Sequence, residues 1–126
     1  MASEFINKLT EAGVDVASAL SRMLNKEEMY KKFLRKFRDD TNIFSLRDVI
    51  DGNDSFSAEN CEQVFHYAHT VKGVAGNLGL TKIYNESSYI CELTRDGIAD
   101  ASDIRKHMAV LMEDYNSLIA VLDTIL

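Results

Sequence analysis

The sequence predicts an all-α fold, an antiparallel four-helix bundle with additional short N-terminal helices. Three observations predict it. Proline is absent and only six glycines occur in 126 residues, so few positions interrupt a helix. The clusters of turn residues that mark an all-β domain every roughly 8 to 12 positions are missing. Long segments carry apolar residues at alternating steps of three and four, the spacing of one buried helix face. The length suits one domain over residues 1–126, with short helices over about 3–24 and the bundle over about 25–126.

Composition removes several function classes. Hydrophobic residues make up 46% and charged residues 27%, which describes a globular chain and not a disordered one. No stretch approaches the roughly 20 apolar residues of a membrane span. Met1-Ala2-Ser3-Glu4 does not read as a secretory leader. Fourteen Lys and Arg against twenty Asp and Glu leave a net charge of −6. Without a basic block, nucleic acid is a poor partner, because phosphate contacts dominate that affinity. Cys61 and Cys91 are too few for a disulfide scaffold and read as reduced, partly buried thiols of a cytosolic protein.

The elements follow in order. Ser3 can cap a short helix carrying Phe5, Ile6 and Leu9, with Gly13 at its end. Asp15 can cap a second segment through Leu24. Asn25 is the expected cap of a third helix, with Glu27 and Glu28 favouring its positive end. Met29, Phe33 and Phe37 set its apolar face beside Tyr30 and Leu34, and it should run to about Asp39. Asp40-Thr41-Asn42 can interrupt it before Phe44, Leu46, Val49 and Ile50. The clearest loop is Asp51-Gly52-Asn53-Asp54-Ser55. Ser57 should cap the next helix, whose seam is Cys61, Val64, Ala68, Val71, Ala75 and Leu78, with Gly79 ending it. Thr81 should cap the following helix, with Ile83, Ser87, Ile90 and Leu93 or Thr94 inward and Gly97 ending it. The last helix begins near Asp100 or Ser102 and buries Ile104, Met108, Leu111, Tyr115, Leu118, Leu122 and Ile125.

Local rules fail in one place. The helix from Ser57 to Leu78 holds two interior glycines, Gly73 and Gly76, each costing about 1 kcal/mol relative to alanine. Rule-breaking inside a consistent element marks function or close packing. With the seam as the core direction, a 100° step places His69 roughly 130° away, Gly73 roughly 170° and Gly76 roughly 110°. The imidazole therefore points outward, and the glycines clear the turns above it. Lys72 follows three residues on and is its neighbour on the helix surface. Its ammonium disfavours an imidazolium and should hold His69 neutral and nucleophilic near pH 7. The same ammonium could pair with an attached phosphoryl group. Phe65, Glu62 and His66 complete the patch. An exposed nucleophile, a cation and an open surface make a phosphoryl station.

Ala68-His69-Thr70-Val71-Lys72-Gly73 through Leu78-Gly79 resembles the signature of histidine-containing phosphotransfer (HPt) domains, roughly A-H-x-L-K-G-x-x-x-x-L-G. Val71 stands where the pattern has leucine. Upstream, Gly13-Val14-Asp15-Val16, Ala19-Leu20-Ser21-Arg22 and Asn25 to Tyr30 are similar to the segment preceding the bundle in HPt modules of hybrid sensor kinases. The resemblance implies a four-helix bundle that relays phosphate in two-component signalling. His69 would be the phosphoacceptor, Lys72 would stabilise the phosphoryl group, and Gly73 matches the family glycine. The histidine would take its phosphoryl group from a receiver-domain aspartate and pass it to another receiver. The implied partners are response-regulator receivers and a hybrid sensor histidine kinase, with the receiver supplying the acidic pocket and Mg²⁺. The chain itself would hold no cofactor or metal, act in the cytoplasm as a monomer, and lack an ATP site.

Two other functions are set against this one. A binding-only adaptor would dock receivers without being phosphorylated, and the pairing of His69 with Lys72 argues against it. The phosphoacceptor module of a chemotaxis-type kinase would need ATP-binding boxes that these 126 residues do not contain. Blander roles apply to single residues. His66 reads as a solvent-facing rim contact. His66 and His69 could grip a metal, but only Glu62 stands nearby and zinc takes three or four protein ligands. Phe65 divides evenly between core edge and apolar docking contact. Asn77 is a rim contact or a brace near Gly79. His107 should lie at a partly buried or surface position without a role. Met23, Met29, Met108 and Met112 read as core filler, and Lys31 to Arg38 as a solvated face.

Overall fold

The computed structural model describes residues 3–97 and 99–126. Met1 and Ala2, the start of the segment read as carrying no leader, lie outside them. Among the described residues there are seven helices and no strand: α1 (Glu4–Glu11), α2 (Val16–Arg22), α3 (Glu27–Asp39), α4 (Asn42–Asp51), α5 (Ala58–Leu78), α6 (Thr81–Thr94) and α7 (Ala101–Ile125). Helices α3 and α4 form one interrupted rod. With α5, α6 and α7 this rod makes the four-helix bundle, and α1 and α2 pack across one end. Helix α5 touches α6, α4, α2 and α3, while α7 touches α6, α1, α4 and α3. The two longest helices therefore stand on opposite corners.

Side-chain caps define most starts. The Ser3 hydroxyl accepts from the Ile6 N–H, and the Asp15 carboxylate from the Ser18 N–H. Asp100 caps α7 through the Ser102 and Asp103 N–H groups. Ser57 and Asn60 cap each other reciprocally at the head of α5. The interruption expected at Asp40-Thr41-Asn42 is real. Asp40 is extended, and its carboxylate accepts from the Asn42 N–H at 2.7 Å at the start of α4.

One core runs through the bundle. The α5 seam of Cys61, Val64, Ala68, Val71, Ala75 and Leu78 is buried throughout. It meets Leu34, Leu46 and Ile50 from the rod and Ile83 and Ile90 from α6. From α7, Ile104, Met108, Leu111, Tyr115, Leu118 and Leu122 point inward as the spacing requires. Burial pushes the thiol pKa of Cys61 and of Cys91 above the usual range, so neither is an activated nucleophile.

Four local expectations fail. Asn25 does not cap α3. Leu24 and Asn25 both adopt left-handed backbone (φ 54° and 59°), and Lys26 occupies the cap position without a side-chain bond. Asparagine tolerates that conformation better than most residues, so its role is in the turn. Leu24 thus falls outside α2. Thr81 is the first helical residue of α6, and Leu80 precedes it at the cap position. In α3 the buried residues are Tyr30, Leu34 and Phe37, while Met29 and Phe33 face outward at 39% and 37% exposure. Five apolar residues within nine positions fit two adjacent faces. Tyr30 wins because its hydroxyl reaches the Leu78 carbonyl at 2.8 Å inside the protein. Met29 is accordingly a surface residue and not core filler.

The end of α5 is tied to the N-terminal segment. Gly79 is left-handed (φ 71°) and closes α5, with its N–H turned back to the last turn. Its carbonyl accepts from the Asp15 N–H at 2.8 Å. A Cβ at position 79 would stand 2.3 Å from the Asp15 carbonyl oxygen. Gly79→Ala should lower the unfolding free energy by at least about 1–2 kcal/mol, the cost of left-handed backbone with a side chain. Urea denaturation followed by circular dichroism measures it, and an unchanged midpoint would refute the tie.

Candidate functional site

Helix α5 presents one ridge to solvent. His69 stands on it, exposed, with its four-residue neighbours Phe65 and Gly73 on either side. Phe65 is half-buried, packs on the core, and stacks its ring on the imidazole at a centroid distance of 5.7 Å and 29° between planes. It is both core edge and neighbour of the histidine. On the other side nothing approaches within 4 Å of where a Gly73 Cβ would be. The imidazole is therefore backed by an aromatic ring on one flank and open on the other.

Glu62 and His66 continue the exposed ridge toward the start of α5. His66 turns its ring edge-on to Tyr67 at 5.5 Å, and the Thr70 hydroxyl donates to the His66 carbonyl. Asn77 is exposed in the last turn, and its side chain hydrogen-bonds to no other described residue. The α5 terminus is braced by other groups: the Tyr30 hydroxyl on the Leu78 carbonyl, and the Arg22 guanidinium on the Gly76 carbonyl at 3.1 Å. Among the described residues no group of three or more His, Cys, Asp or Glu side chains is placed to hold a metal.

Lys72 is half-buried and leans from α5 toward α6. Its ammonium lies 5.7 Å from the centre of the Tyr84 ring. No carboxylate among the described residues comes within ion-pairing range of it, so its charge is not neutralised. Gly76 differs from Gly73. A Cβ there would meet the Tyr84 ring at 3.3 Å and 3.4 Å. The wheel placed Gly76 on the open surface, but a helix wheel does not show what the neighbouring helix presents. Gly76 seats Tyr84, and Gly73 alone leaves open space.

Two depressions flank the ridge. One, about 360 Å³, lies between α2, α5 and α6 and is lined by Arg22, His69, Lys72, Gly73 and Tyr84 among others. The second, about 550 Å³, lies between α3 and α5, with Met29, Phe33, Phe37, Val74 and Leu78 on its walls. Asn77 borders both. The first carries Asp15 as well as Arg22 and Lys72, and the second sets Arg22, Lys36 and Asp40 around an apolar lining. Sequence reading had not singled out Tyr84 or Arg22. Tyr84 follows buried Ile83, so it had to lie off the α6 seam, but its partner was invisible from α6 alone. His107, on the far side, holds Glu86 at 2.7 Å and stacks on Tyr89, so it ties α7 to α6.

An exposed histidine thus stands on the ridge of a four-helix bundle, with Lys72 on the same helix three residues on. The Hpt domain model matches residues 28–123, most of the chain. The protein belongs to the Hpt family, the histidine phosphotransfer modules of phosphorelays, which interact with receiver domains. The match is to a phosphotransfer module, and no kinase domain was found. No curated protein and no solved structure matches the chain. No helix among the described residues is long and apolar enough to cross a membrane.

The space at Gly73 makes a stability prediction. Gly73→Ala should raise the unfolding free energy by about 1 kcal/mol, since a helix-interior glycine is replaced without a clash. A lower melting temperature in that variant would mean that the position is not open.

Proposed function

We propose that His69 is the phosphoacceptor, taking a phosphoryl group from a receiver-domain aspartate and relaying it to a second receiver. The observation that carries this reading is the exposed imidazole beside the empty space over Gly73, within a chain of the Hpt family. A receiver must bring a bulky aspartyl phosphate into line with a ring nitrogen, and the bare turn beyond His69 admits it. The ring nitrogen's lone pair attacks phosphorus. The bond from phosphorus to the aspartate oxygen breaks, and the carboxylate leaves with its electron pair. The proton on the other ring nitrogen passes to solvent, which removes the positive charge from the phosphorylated ring. Return to the second receiver reverses these steps.

Little covalent work falls to the protein, so positioning and charge carry the rate. Lys72 stabilises the equatorial oxygens as charge spreads over them, because no carboxylate competes for its ammonium. Phe65 limits the tilt of the imidazole. Gly73 keeps the approach clear. Glu62, His66 and Asn77 form the polar rim of the docking surface, and Gly76 serves it indirectly by seating Tyr84. Mg²⁺ belongs to the receiver's acidic pocket in this reading, since α5 offers no set of ligands for it. The upstream donor is the receiver of a hybrid sensor histidine kinase. The chain works as a monomer in the cytoplasm.

Incubation with a phosphorylated receiver should label the chain with a phosphoryl group stable to base and lost in acid. His69→Gln should abolish that labelling with helix content and melting nearly unchanged. Retained labelling would place the acceptor elsewhere, and no transfer from any receiver would favour a binding-only adaptor. Gly73→Leu should fold but slow transfer by about tenfold or more, the scale of about 1.4 kcal/mol of docking obstruction. An unaltered rate would refute the access argument.

A further inference from the structure

A lysine that serves a phosphoryl group must be near it without being neutralised first. Its four-carbon stem is flexible, and an unrestrained ammonium spends little time in any one place. A carboxylate could hold it, but would cancel its charge and repel the phosphoryl oxygens. An aromatic face holds a cation through the ring quadrupole and leaves its charge intact. Tyr84 supplies such a face. It is 38% exposed, and its ring lies 5.7 Å from the Lys72 ammonium.

The ring is itself seated. Gly76 has no side chain, and the Tyr84 ring lies against its backbone, where a Cβ would come within 3.3 Å. Gly76 lies one helical turn beyond Lys72 on α5, so the seat and the cation share one flank of that helix. Lysine, ring and glycine all line the depression that His69 borders.

From this geometry we infer that Tyr84 is a positioning residue for phosphotransfer: seated on Gly76, its ring holds the Lys72 ammonium at the His69 cleft, un-neutralised and ready for the incoming phosphoryl group. This rests on His69 being the acceptor. The ring and not the hydroxyl does the holding. A partly exposed cation–ring contact is worth about a two- to fivefold effect on rate.

The experiment uses the full chain with Tyr84→Phe and Tyr84→Leu, each made with Lys72 intact and with Lys72→Gln. Two quantities are read: the rate of transfer from a phosphorylated receiver, and the proton shift of the Lys72 ε-methylene. Tyr84→Phe should keep both the ring-current shift and the rate. Tyr84→Leu should lose the shift and slow transfer about two- to fivefold. With Lys72→Gln, Tyr84→Leu should add nothing further. Equal slowing with and without Lys72 would overturn the proposal and make Tyr84 a contact for the receiver. An ε-methylene signal that ignores Tyr84→Leu would overturn it also. If the wild-type chain takes no label on His69, the phosphotransfer reading fails and the inference with it, yet the ring-current shift persists. The two failures are thereby distinguished.

Discussion

The closure of α5 at its C-terminal end governs the rest of the structure. A helix leaves its last carbonyls without internal partners, and each must be satisfied where water is excluded. Here three of them are taken by residues far away in the chain: Gly76 by Arg22, Leu78 by Tyr30 and Gly79 by Asp15. The Tyr30 phenol is fully buried, and burial followed by the charge of Asp15 raises its pKa well above the usual value. It remains a hydrogen-bond donor throughout any ordinary pH. The helix that carries His69 is thus fixed at its end by contacts that cross the protein, and fixing matters because transfer between two proteins depends on placing a ring nitrogen accurately.

The two flanks of the ridge divide the work. Toward α6 the depression beside the histidine carries Lys72 and Asp15, with Arg22 between the two flanks. Toward α3 Met29, Phe33 and Val74 line a broad depression whose rim also carries Lys36 and Asp40. Apolar burial contributes affinity without direction, whereas charge and shape contribute orientation. In the proposed docking, this arrangement would let one face of a partner be gripped while another delivers its reactive group.

Much of this was legible in the sequence. The α5 seam and the α7 seam as far as Leu122 read correctly because three-and-four spacing over many turns admits one solution, although Ile125 at the helix end is only partly buried. The caps at Ser3, Asp15 and Ser57 read correctly because they are local. His69 and the open position at Gly73 followed from the same wheel. The failures share a cause. Met29 and Phe33 against Tyr30 and Leu34 is a choice between neighbouring faces, settled by the Leu78 carbonyl 48 residues on. Gly76 was misplaced because its partner, Tyr84, belongs to another helix. Asn25 has a capping side chain, but the turn geometry used its backbone instead. One-helix reasoning finds a residue's direction and does not find what waits there.

The ties at the end of α5 also reach beyond the span that the family model matches. The span shared with the family starts at residue 28, yet Asp15 and Arg22, two of the three groups that hold the helix end, precede it. A short leading arm, outside the matched span, thus acts as the clasp that keeps the end of α5 from swinging.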